Sequence, residues 1–225
     1  MPLIDPGPGL WNLPDPHEAD PGEEILAIGA DLAPSTLLDA YCNGLFPMHV
    51  SSGELAWWSP DPRGVMELEN LQVSTSLKKS LRRYRVTFNT AFEAVMRGCD
   101  ENRNESWITE EFIASYCALH EMGWTHSVEV WEGEELVGGL YGIEVGGLFA
   151  GESMFHRKRD ASKVAFVALV ERLKGCDGNR LFDVQWKTDH LATLGVTEIS
   201  RNEYLDRLAI AVTQPGCFSE LNRTT

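Results

Sequence analysis

The spacing of apolar and polar side chains divides the chain into an irregular start, a mainly helical stretch and a β-rich second half. Residues 1–22 hold most of the prolines and show little periodicity, which predicts an irregular arm. Three alternating runs separated by turn residues predict antiparallel strands at 127–131, 136–143 and 148–152. Further short strands are expected at 25–29, 85–89, 181–185 and 197–199.

Helical spacing with capping and stop residues predicts helices over 36–43, 76–84, 91–99, 110–122, 161–174, 189–194 and 202–211. The helix at 161–174 is apolar all round from 164 to 170, so it should be packed on more than one side. Asp160 is expected to be its N-cap. Three antiparallel strands followed by alternating helices and strands predict a mixed α/β sheet covered by helices.

One strand carries polar groups where a core strand should be apolar. In the run 181–185, alternation places Asp183 and Gln185 on the same face, roughly 7 Å apart. A strand that follows a helix is usually interior, so these groups imply a cavity, water or a ligand opposite them. The alternative is an edge strand with a wet polar face, and the strand alone does not decide between the two.

Two basic segments hold the candidate anion contacts, which are Lys78, Lys79, Arg82 and Arg83 in the first and Arg157, Lys158, Arg159 and Lys163 in the second. The second segment leads into the helix at 161, where free N–H groups and the helix dipole favour an anion. For either segment taken alone, an exposed and solvated surface is the more common interpretation.

Tryptophans occupy two places where a structural and a binding role are both open. Trp57 and Trp58 precede a Pro-Asp-Pro corner and serve either as a plug between two halves of the molecule or as a surface that stacks on bases. The plug is the commoner role for such a pair. Trp107 lies where a loop meets the helix at 110, as a hydrophobic staple or as a stacking platform.

Composition narrows the class of protein. The 225 residues, 43% of them hydrophobic, suffice for a sizeable core in one or two domains. The sequence shows neither a run near the ~20 apolar residues of a membrane helix nor a signal peptide, so a cytoplasmic location is expected. The formal net charge of −15 repels phosphate, so any nucleic-acid partner must be held by local basic patches.

The spacing of the cysteines and histidines argues against disulfide bonds and metal sites. Five scattered cysteines without CxxC spacing predict reduced thiols in a reducing compartment. His120 and His126 lie six residues apart without an acidic partner in register, which is not a metal-site pattern. No structural or catalytic metal is expected.

Several strings then occur together in one order, at 41–47, 57–63, 106–109, 126–131, 136–142, 151–155 and 161–163, followed by Asp183 and Gln185. The most specific are Trp-Trp-Ser-Pro-Asp-Pro-Arg at 57–63 and Gly-Glu-Ser-Met-Phe at 151–155. With this order the chain resembles the leucyl/phenylalanyl-tRNA–protein transferase family from about residue 22 to residue 207.

The resemblance implies a small N-terminal domain over 1–64, with its proline-rich arm, and a GNAT-like catalytic domain over 65–212. Residues 213–225 are expected to be a frayed tail. The implied reaction moves Leu or Phe, with Met as a further donor, from aminoacyl-tRNA to the α-amine of a protein that begins with Arg or Lys. That transfer marks the protein for N-degron degradation, and the resemblance implies neither a metal nor a nucleotide cofactor. We expect a monomer.

The resemblance also suggests roles for individual residues. Asp183 and Gln185 stand in the catalytic positions, with Asp183 expected to polarise Gln185 and to carry or stabilise the departing proton while Gln185 orients the amine. Glu152 is expected to anchor the aminoacyl group or its ribose. The remaining candidates are Trp107 for stacking on the terminal adenosine, Leu140, Phe149 and Met154 for the apolar pocket, Thr188 for the substrate, and the eight basic residues above for tRNA phosphates.

The chain departs from the family pattern at three positions. Met48 follows Phe-Pro where Trp is more common, so one stacking surface for the adenine is reduced or replaced. His156 stands where Ser is often found, and Thr188 where Asn is common. These differences concern how the tRNA end is bound rather than the class of reaction.

Two other functions fit parts of the pattern. A GNAT-like acyltransferase that uses acetyl-CoA would need a glycine-rich pyrophosphate loop before the helix at 161, and residues 157–162 lack those glycines. A non-catalytic adaptor for basic protein N-termini would need an acidic pocket, but neither Gln185 nor a pocket for a donor.

Overall fold

The computed structural model describes residues 3–101 and 107–218. The polar composition of residues 100–106 predicts a loop, and most of this stretch lies outside the described residues. The strands are β1 (Ile25–Ile28), β2 (Phe46–His49), β3 (Leu55–Trp58), β4 (Arg63–Met66), β5 (Arg85–Phe88), β6 (Thr125–Glu132), β7 (Glu135–Val145), β8 (Leu148–His156), β9 (Leu181–Gln185) and β10 (Thr197–Ile199). The helices are α1 (Pro34–Cys42), α2 (Thr75–Arg83), α3 (Phe92–Asp100), α4 (Glu110–Glu121), α5 (Ala161–Lys174), α6 (Asp189–Ala192) and α7 (Arg201–Ala211). Two 3₁₀ turns lie at Pro16–Glu18 and Leu68–Asn70.

The predicted helices and strands are confirmed, with ends that shift by a few residues. The strands β2, β3 and β4 were not predicted, because runs of four residues that contain Pro or adjacent tryptophans show no clear alternation. Trp57 is fully buried in β3 and donates its indole N–H to the Gly29 carbonyl at 2.9 Å. For Trp57 the structural plug is therefore the correct interpretation.

The strands form two sheets. The smaller has the order β1-β3-β2, and the larger has the order β10-β4-β9-β8-β7-β6-β5. Neighbours are antiparallel except β8 and β9, which run parallel because α5 crosses over between them. The mixed α/β class is confirmed by this arrangement. The edge-strand alternative for 181–185 is excluded, because β9 lies between β4 and β8 and all five of its residues are buried.

The large sheet carries an apolar core on each face. On one side α1, α3, α4 and α7 cover it, with side chains such as Phe112, Tyr116 and Leu205. On the other side α5 packs against β6, β7 and β8 and is itself flanked by α2. The prediction that this helix is packed on more than one side is confirmed, since only its charged residues reach solvent freely.

Asp160 does not cap α5 as the sequence predicted. Its backbone is left-handed, with φ of 64°, and its carboxylate makes no capping bond to the helix. The carboxylate instead accepts a 2.8 Å hydrogen bond from Ser80 of α2. A tertiary partner has therefore replaced the local capping bond.

The expectation of five reduced thiols is wrong for two of them, because Cys176 and Cys217 form a disulfide with a Cα–Cα distance of 5.7 Å. The expectation of a frayed tail is corrected for its first part as well. Phe218 is 2% exposed, and the Glu144 carboxylate accepts the backbone N–H groups of Cys217 at 2.7 Å and Phe218 at 3.0 Å. Residues 219–225 lie outside the described part of the chain.

The division at residue 64 into two domains stays a prediction. The three-stranded sheet uses residues 25–58 and the larger sheet begins at Arg63. Among residues 3–101 and 107–218, none of the helices has the length and apolar character needed to cross a membrane.

The glycines of β7 allow close packing on both neighbours, and we expect Gly142→Ala to lower the free energy of unfolding by about 2–3 kcal/mol. An added Cβ would overlap the Ala150 carbonyl oxygen and lie 2.5 Å from the Phe149 ring. Denaturant unfolding measures the loss. Gly175→Ala is the control, because the atom nearest to its added Cβ, the Arg172 carbonyl oxygen, would lie 3.3 Å away; equal losses in both variants would contradict the packing argument.

Candidate active site

A cavity opens in the large sheet where β8 and β9 separate. Their parallel pairing ends at Ala150 and Asp183, so the following residues of both strands border a cavity of about 480 Å³. Ligands in α/β proteins commonly bind at the carboxyl ends of neighbouring parallel strands. The apolar part of the lining consists of Leu140, Met154, Phe166, Phe182, Val184 and Leu191.

Two irregularities in the strands direct polar groups into this cavity. Tyr141 pairs with Ser153 while Gly142 pairs with Gly151, which makes Glu152 the extra residue of a bulge in β8. In β9 a similar shift occurs opposite Gly64, and Gln185 adopts a left-handed backbone with φ of 58°. The Gln185 amide donates a 3.2 Å hydrogen bond to Glu152, so the two side chains act as one polar unit.

Asp183 lies beneath the cavity rather than in it. The residue is fully buried, and its Oδ1 accepts the Arg63 Nε–H at 2.9 Å and the Gln185 backbone N–H at 2.9 Å. Its Oδ2 accepts from Arg63 Nη2 at 2.7 Å and from the Tyr204 hydroxyl at 2.9 Å. The carboxylate therefore has a structural role, because it binds Arg63, Tyr204 and the backbone of Gln185.

This geometry corrects the role predicted for Asp183. The Asp183 carboxylate accepts a hydrogen bond from the backbone N–H of Gln185. The side-chain amide of Gln185 donates to Glu152 and not to Asp183. With both oxygens doubly hydrogen-bonded and no exposed surface, Asp183 is not in a position to carry a proton from the substrate. The expected side-by-side placement fails because the left-handed turn at Gln185 breaks the alternation.

Arg63 is the partner that the sequence did not reveal. It is 1% exposed, donates also to the Gly44 carbonyl at 3.2 Å, and lies over the Tyr204 ring at 4.3 Å. Burial raises the pKa of the Tyr204 hydroxyl well above its usual range, so this group remains a donor to Asp183. A lone arginine at the start of an apolar run was the available signal, because a buried guanidinium needs a carboxylate.

Glu152 has a different environment. It is half-buried at the cavity wall, and the hydroxyl groups of Tyr41 and Tyr116, whose oxygens lie 2.5 Å apart, act to lower the pKa of its carboxyl group. Burial raises the pKa of Glu152 to about 8, with the charge of Asp183 adding to the rise and Arg63 opposing it. The group therefore titrates near neutral pH.

Among the residues predicted for the apolar pocket, Leu140 and Met154 line the cavity. Phe149 does not: it is fully buried behind the wall, against Phe182 and Phe218 with ring centroids 5.8 Å from each. The prediction for Phe149 is corrected because its ring, although on the same face of the sheet as Leu140 and Met154, is covered by Phe182 and Phe218. Phe166, Phe182 and Val184 were missed, since periodicity assigned them only to the core.

Aromatic side chains border the open end of the cavity. Trp107 lines it and packs edge-on against Phe112 with ring centroids 5.3 Å apart. Met48 also lines it, as does Trp186, which packs edge-on against Phe46 at 5.1 Å. The structure therefore places a second indole beside Met48, a feature not predicted from the sequence.

Thr188 and His190 close another side of the cavity. Thr188 lines it and also caps α6, because its hydroxyl accepts the Leu191 N–H at 3.2 Å. Burial lowers the pKa of His190, with Lys163 and His156 contributing. His190 was not among the residues predicted for the site.

The two basic segments become neighbours in the fold. Ser80 of α2 donates to Asp160, and Tyr84 donates its hydroxyl to the Arg159 carbonyl at 3.0 Å. We define the basic surface as the eight predicted basic residues. One of them, Lys163, donates to Thr193 at 3.0 Å, and Thr193 donates to the carbonyl of the cavity-lining His190. Their adjacency was not visible from the sequence.

Several cations of the basic surface are already paired with carboxylates. Arg157 binds Glu101 at 2.6 Å, and Lys158 binds Glu132 and Glu135 at 2.7 and 2.8 Å. Arg83 also binds Glu132, and Arg159 lies 3.7 Å from Asp160. The exposed cations that form no ion pair with described residues are Lys78, Lys79 and Arg82 on α2.

Known proteins resemble this chain over nearly its whole length. Residues 65–209 match the profile of the family described as leucyl/phenylalanyl-tRNA protein transferase, and residues 30–61 match that of its N-terminal domain. A leucyl/phenylalanyl-tRNA–protein transferase of Anaeromyxobacter sp. (strain Fw109-5) is 50% identical over 210 residues, covering 91% of this chain and 88% of the relative. One of Tolumonas auensis is 50% identical over 204 residues, covering 88% and 86%.

A more distant likeness exists among solved structures. L-PGS from Bacillus licheniformis matches 66% of this chain and 51% of its own, with a TM-score of 0.37 and 12% identity. That degree of likeness bears on neither the fold nor the function.

Removal of one partner from the buried pair should be costly, because it leaves an uncompensated charge in the interior. Arg63→Met is expected to lower the free energy of unfolding by about 3–5 kcal/mol, measured by denaturant unfolding. The double variant Arg63→Met with Asp183→Leu should regain part of that loss, and Tyr204→Phe alone should cost only about 1–2 kcal/mol. A double variant no more stable than Arg63→Met would contradict the pairing.

Proposed function

The chain belongs to the leucyl/phenylalanyl-tRNA protein transferase family, and from this membership we propose that its cavity transfers Leu or Phe from aminoacyl-tRNA to proteins that begin with Arg or Lys. The chain is an aminoacyltransferase that acts on protein N-termini. The donor and the acceptor residues named here, a cytoplasmic and monomeric state, and the marking of the product for N-degron degradation are parts of the proposal.

The observation that carries the proposal is an apolar cavity with one polar pair on its wall. Leu140, Met154 and Phe182 offer the surface that a leucyl or phenylalanyl side chain needs. The flexible thioether of Met154 adapts to either shape. Glu152 and Gln185 lie on the wall of the same cavity, where they would hold the ester group, which is attached to the α-carbon of the donor amino acid.

The chemistry demands alignment more than activation, because an aminoacyl ester is already reactive towards an amine. Gln185 orients the attacking amine, and Asp183 acts through it by fixing its backbone. In its ionised form, which becomes predominant above a pH of about 8, Glu152 contributes negative charge for the cationic N-terminus of the acceptor. Glu152 also anchors the donor's aminoacyl group or ribose, and Thr188 contacts the substrate from the opposite side.

Trp107 supplies a stacking surface for the terminal adenosine of the tRNA, since base–aromatic stacking is worth about 1–3 kcal/mol per base. The basic surface beside the cavity contacts phosphates further along the acceptor end. Because the net charge is −15, these contacts must act locally, and salt should weaken them strongly.

The test is a transfer assay with Leu-tRNA or Phe-tRNA labelled in the amino acid and a peptide that begins with Arg or Lys. Label should appear in the peptide, and a peptide with an acetylated N-terminus should stay unlabelled. Label transferred from acetyl-CoA instead would support the acetyltransferase alternative. Binding of the peptide without any transfer would support the adaptor alternative.

The contribution of the basic surface is tested one cation at a time. Lys78→Glu, Lys79→Glu and Arg82→Glu should each raise the KM for aminoacyl-tRNA several-fold while kcat stays the same. Each should also reduce the slope of log KM against log salt concentration by about one. Steady-state kinetics from low to moderate salt measure both effects.

Arg207→Glu is the matched control, because Arg207 lies on α7 across the sheet and pairs with Glu67 and Glu203. It changes the net charge by the same amount and should leave the KM for tRNA unchanged. An equal rise in KM for this control would mean that total charge, and not the basic surface, governs tRNA binding.

A further inference from the structure

The cavity contains a candidate proton acceptor other than Asp183, the carboxylate to which the sequence pointed. Asp183 is saturated by four hydrogen bonds and fully buried. Glu152 lines the cavity, and one of its oxygens bonds to the Gln185 amide. It is the one carboxylate among the described residues that line this cavity.

We propose that Glu152 is a catalytic residue that accepts the proton of the attacking α-amine and returns it to the ribose oxygen of the departing tRNA. This inference rests on the proposed function and names the acid–base group of that same site. It assigns to Glu152 a step in the chemistry in addition to an anchoring contact.

The step balances without a further reactant. The amine nitrogen attacks the ester carbonyl carbon, and a C–N bond forms while one N–H proton passes to a Glu152 carboxylate oxygen. The C–O bond to the ribose then breaks, and the same proton moves from Glu152 to the ribose oxygen. The products are an amide and a free ribose hydroxyl, and Glu152 ends as the carboxylate with which it began.

The local structure suits this role. The bulge in β8 directs Glu152 towards the cavity, and Gln185 holds one carboxylate oxygen in place. Gln185 is also the group proposed to orient the amine, so acceptor nitrogen and carboxylate are brought to the same place. The hydroxyl groups of Tyr41 and Tyr116 stabilise the ionised form from behind.

The electrostatics match the substrate as well. The groups that face Glu152 are Tyr41 from α1, Arg63 from β4, Tyr116 from α4 and Asp183 from β9, and burial raises its pKa to about 8. The α-ammonium group has a pKa of about 7.7–8.0, so the free amine and the ionised Glu152 that the step requires are both present in the same pH range. General acid–base catalysis is most effective when the catalytic pKa lies near the operating pH.

His190 is the other acid–base side chain among the described residues that line the cavity. It lies on α6, where Lys163 and His156 contribute to lowering its pKa. The structure records no hydrogen bond between the described atoms of His190 and Gln185. His190→Asn therefore belongs in the test as a direct comparison with Glu152.

The experiment compares the unaltered protein with Glu152→Gln, Glu152→Asp, Glu152→Ala and His190→Asn, with Phe-tRNA as donor and an Arg-initiated peptide as acceptor. Glu152→Gln should lower kcat by about 10²–10⁴-fold and change the donor KM by less than about threefold. Glu152→Asp should retain more activity than Glu152→Gln. Donor KM and circular dichroism verify that each variant is folded.

The pH profile separates the carboxylate from the amine. In the unaltered protein, kcat should rise with pH through about 8, because the ionised form of Glu152 appears as pH rises through its raised pKa. Glu152→Gln should lose this dependence in kcat, while ionisation of the free amine acts on kcat/KM in both proteins. His190→Asn should keep the dependence.

Chemical rescue gives a positive signal. Formate added to Glu152→Ala should restore the rate at least about tenfold, in proportion to the ionised formate present, because it supplies a carboxylate in the space left by the side chain. Glu144→Gln is the matched control, since Glu144 is a buried carboxyl with a pKa raised by burial to about 7 that holds the tail, away from the cavity. It should keep nearly full activity.

The outcomes separate this inference from the function on which it rests. Absence of transfer by the unaltered protein would overturn the proposed function and this step with it. Transfer by the unaltered protein, combined with a Glu152→Gln variant that keeps both its kcat and its pH dependence, would overturn the step alone. A loss confined to the donor KM would limit Glu152 to anchoring, and loss of the pH dependence in His190→Asn would move the role to His190.

Discussion

The buried ion pair between Arg63 and Asp183 is the interaction on which the cavity depends. Two charges in the interior are tolerable only when each is paired and hydrogen-bonded, and here the guanidinium reaches β9, Gly44 and the ring of Tyr204 at once. The pair ties β4 to β9, and Asp183 in turn holds the backbone of Gln185 in its left-handed turn. A substitution of Arg63 would therefore alter the position of Gln185 at the cavity wall, although Arg63 itself does not line the cavity.

Because Asp183 has this structural role, the carboxyl group of Glu152 is the one that remains to react with the substrate. Asp183 has four donors and no exposed surface, whereas Glu152 lies at the cavity wall with its pKa raised by burial to about 8. Two carboxyl groups in one site can thus take different roles because their surroundings differ. The bulge that aims Glu152 and the turn that aims Gln185 lie on neighbouring strands, at the point where those strands separate.

The charge distribution shows a similar dependence on the fold. A net charge of −15 opposes tRNA, yet α2 and the segment before α5 place their cations side by side near the cavity. Carboxylates bind part of these cations, which leaves Lys78, Lys79 and Arg82 of α2 as exposed cations. Local charge, rather than total charge, is what a phosphate beside this surface would experience.

The sequence by itself determined the helices and long strands and the mixed α/β class, and its resemblance to the family suggested the grouping of Glu152, Met154, Trp107 and Gln185, which all line the cavity. Periodicity and turn chemistry act over a few residues, so they specify elements of this length. Only the tertiary structure decided the rest: the pairing of Arg63 with Asp183, the buried position of Phe149, the partner of Asp160, and the bond between Cys176 and Cys217. Each of these depends on contacts between distant parts of the chain, and local spacing carries no information about which distant residues meet.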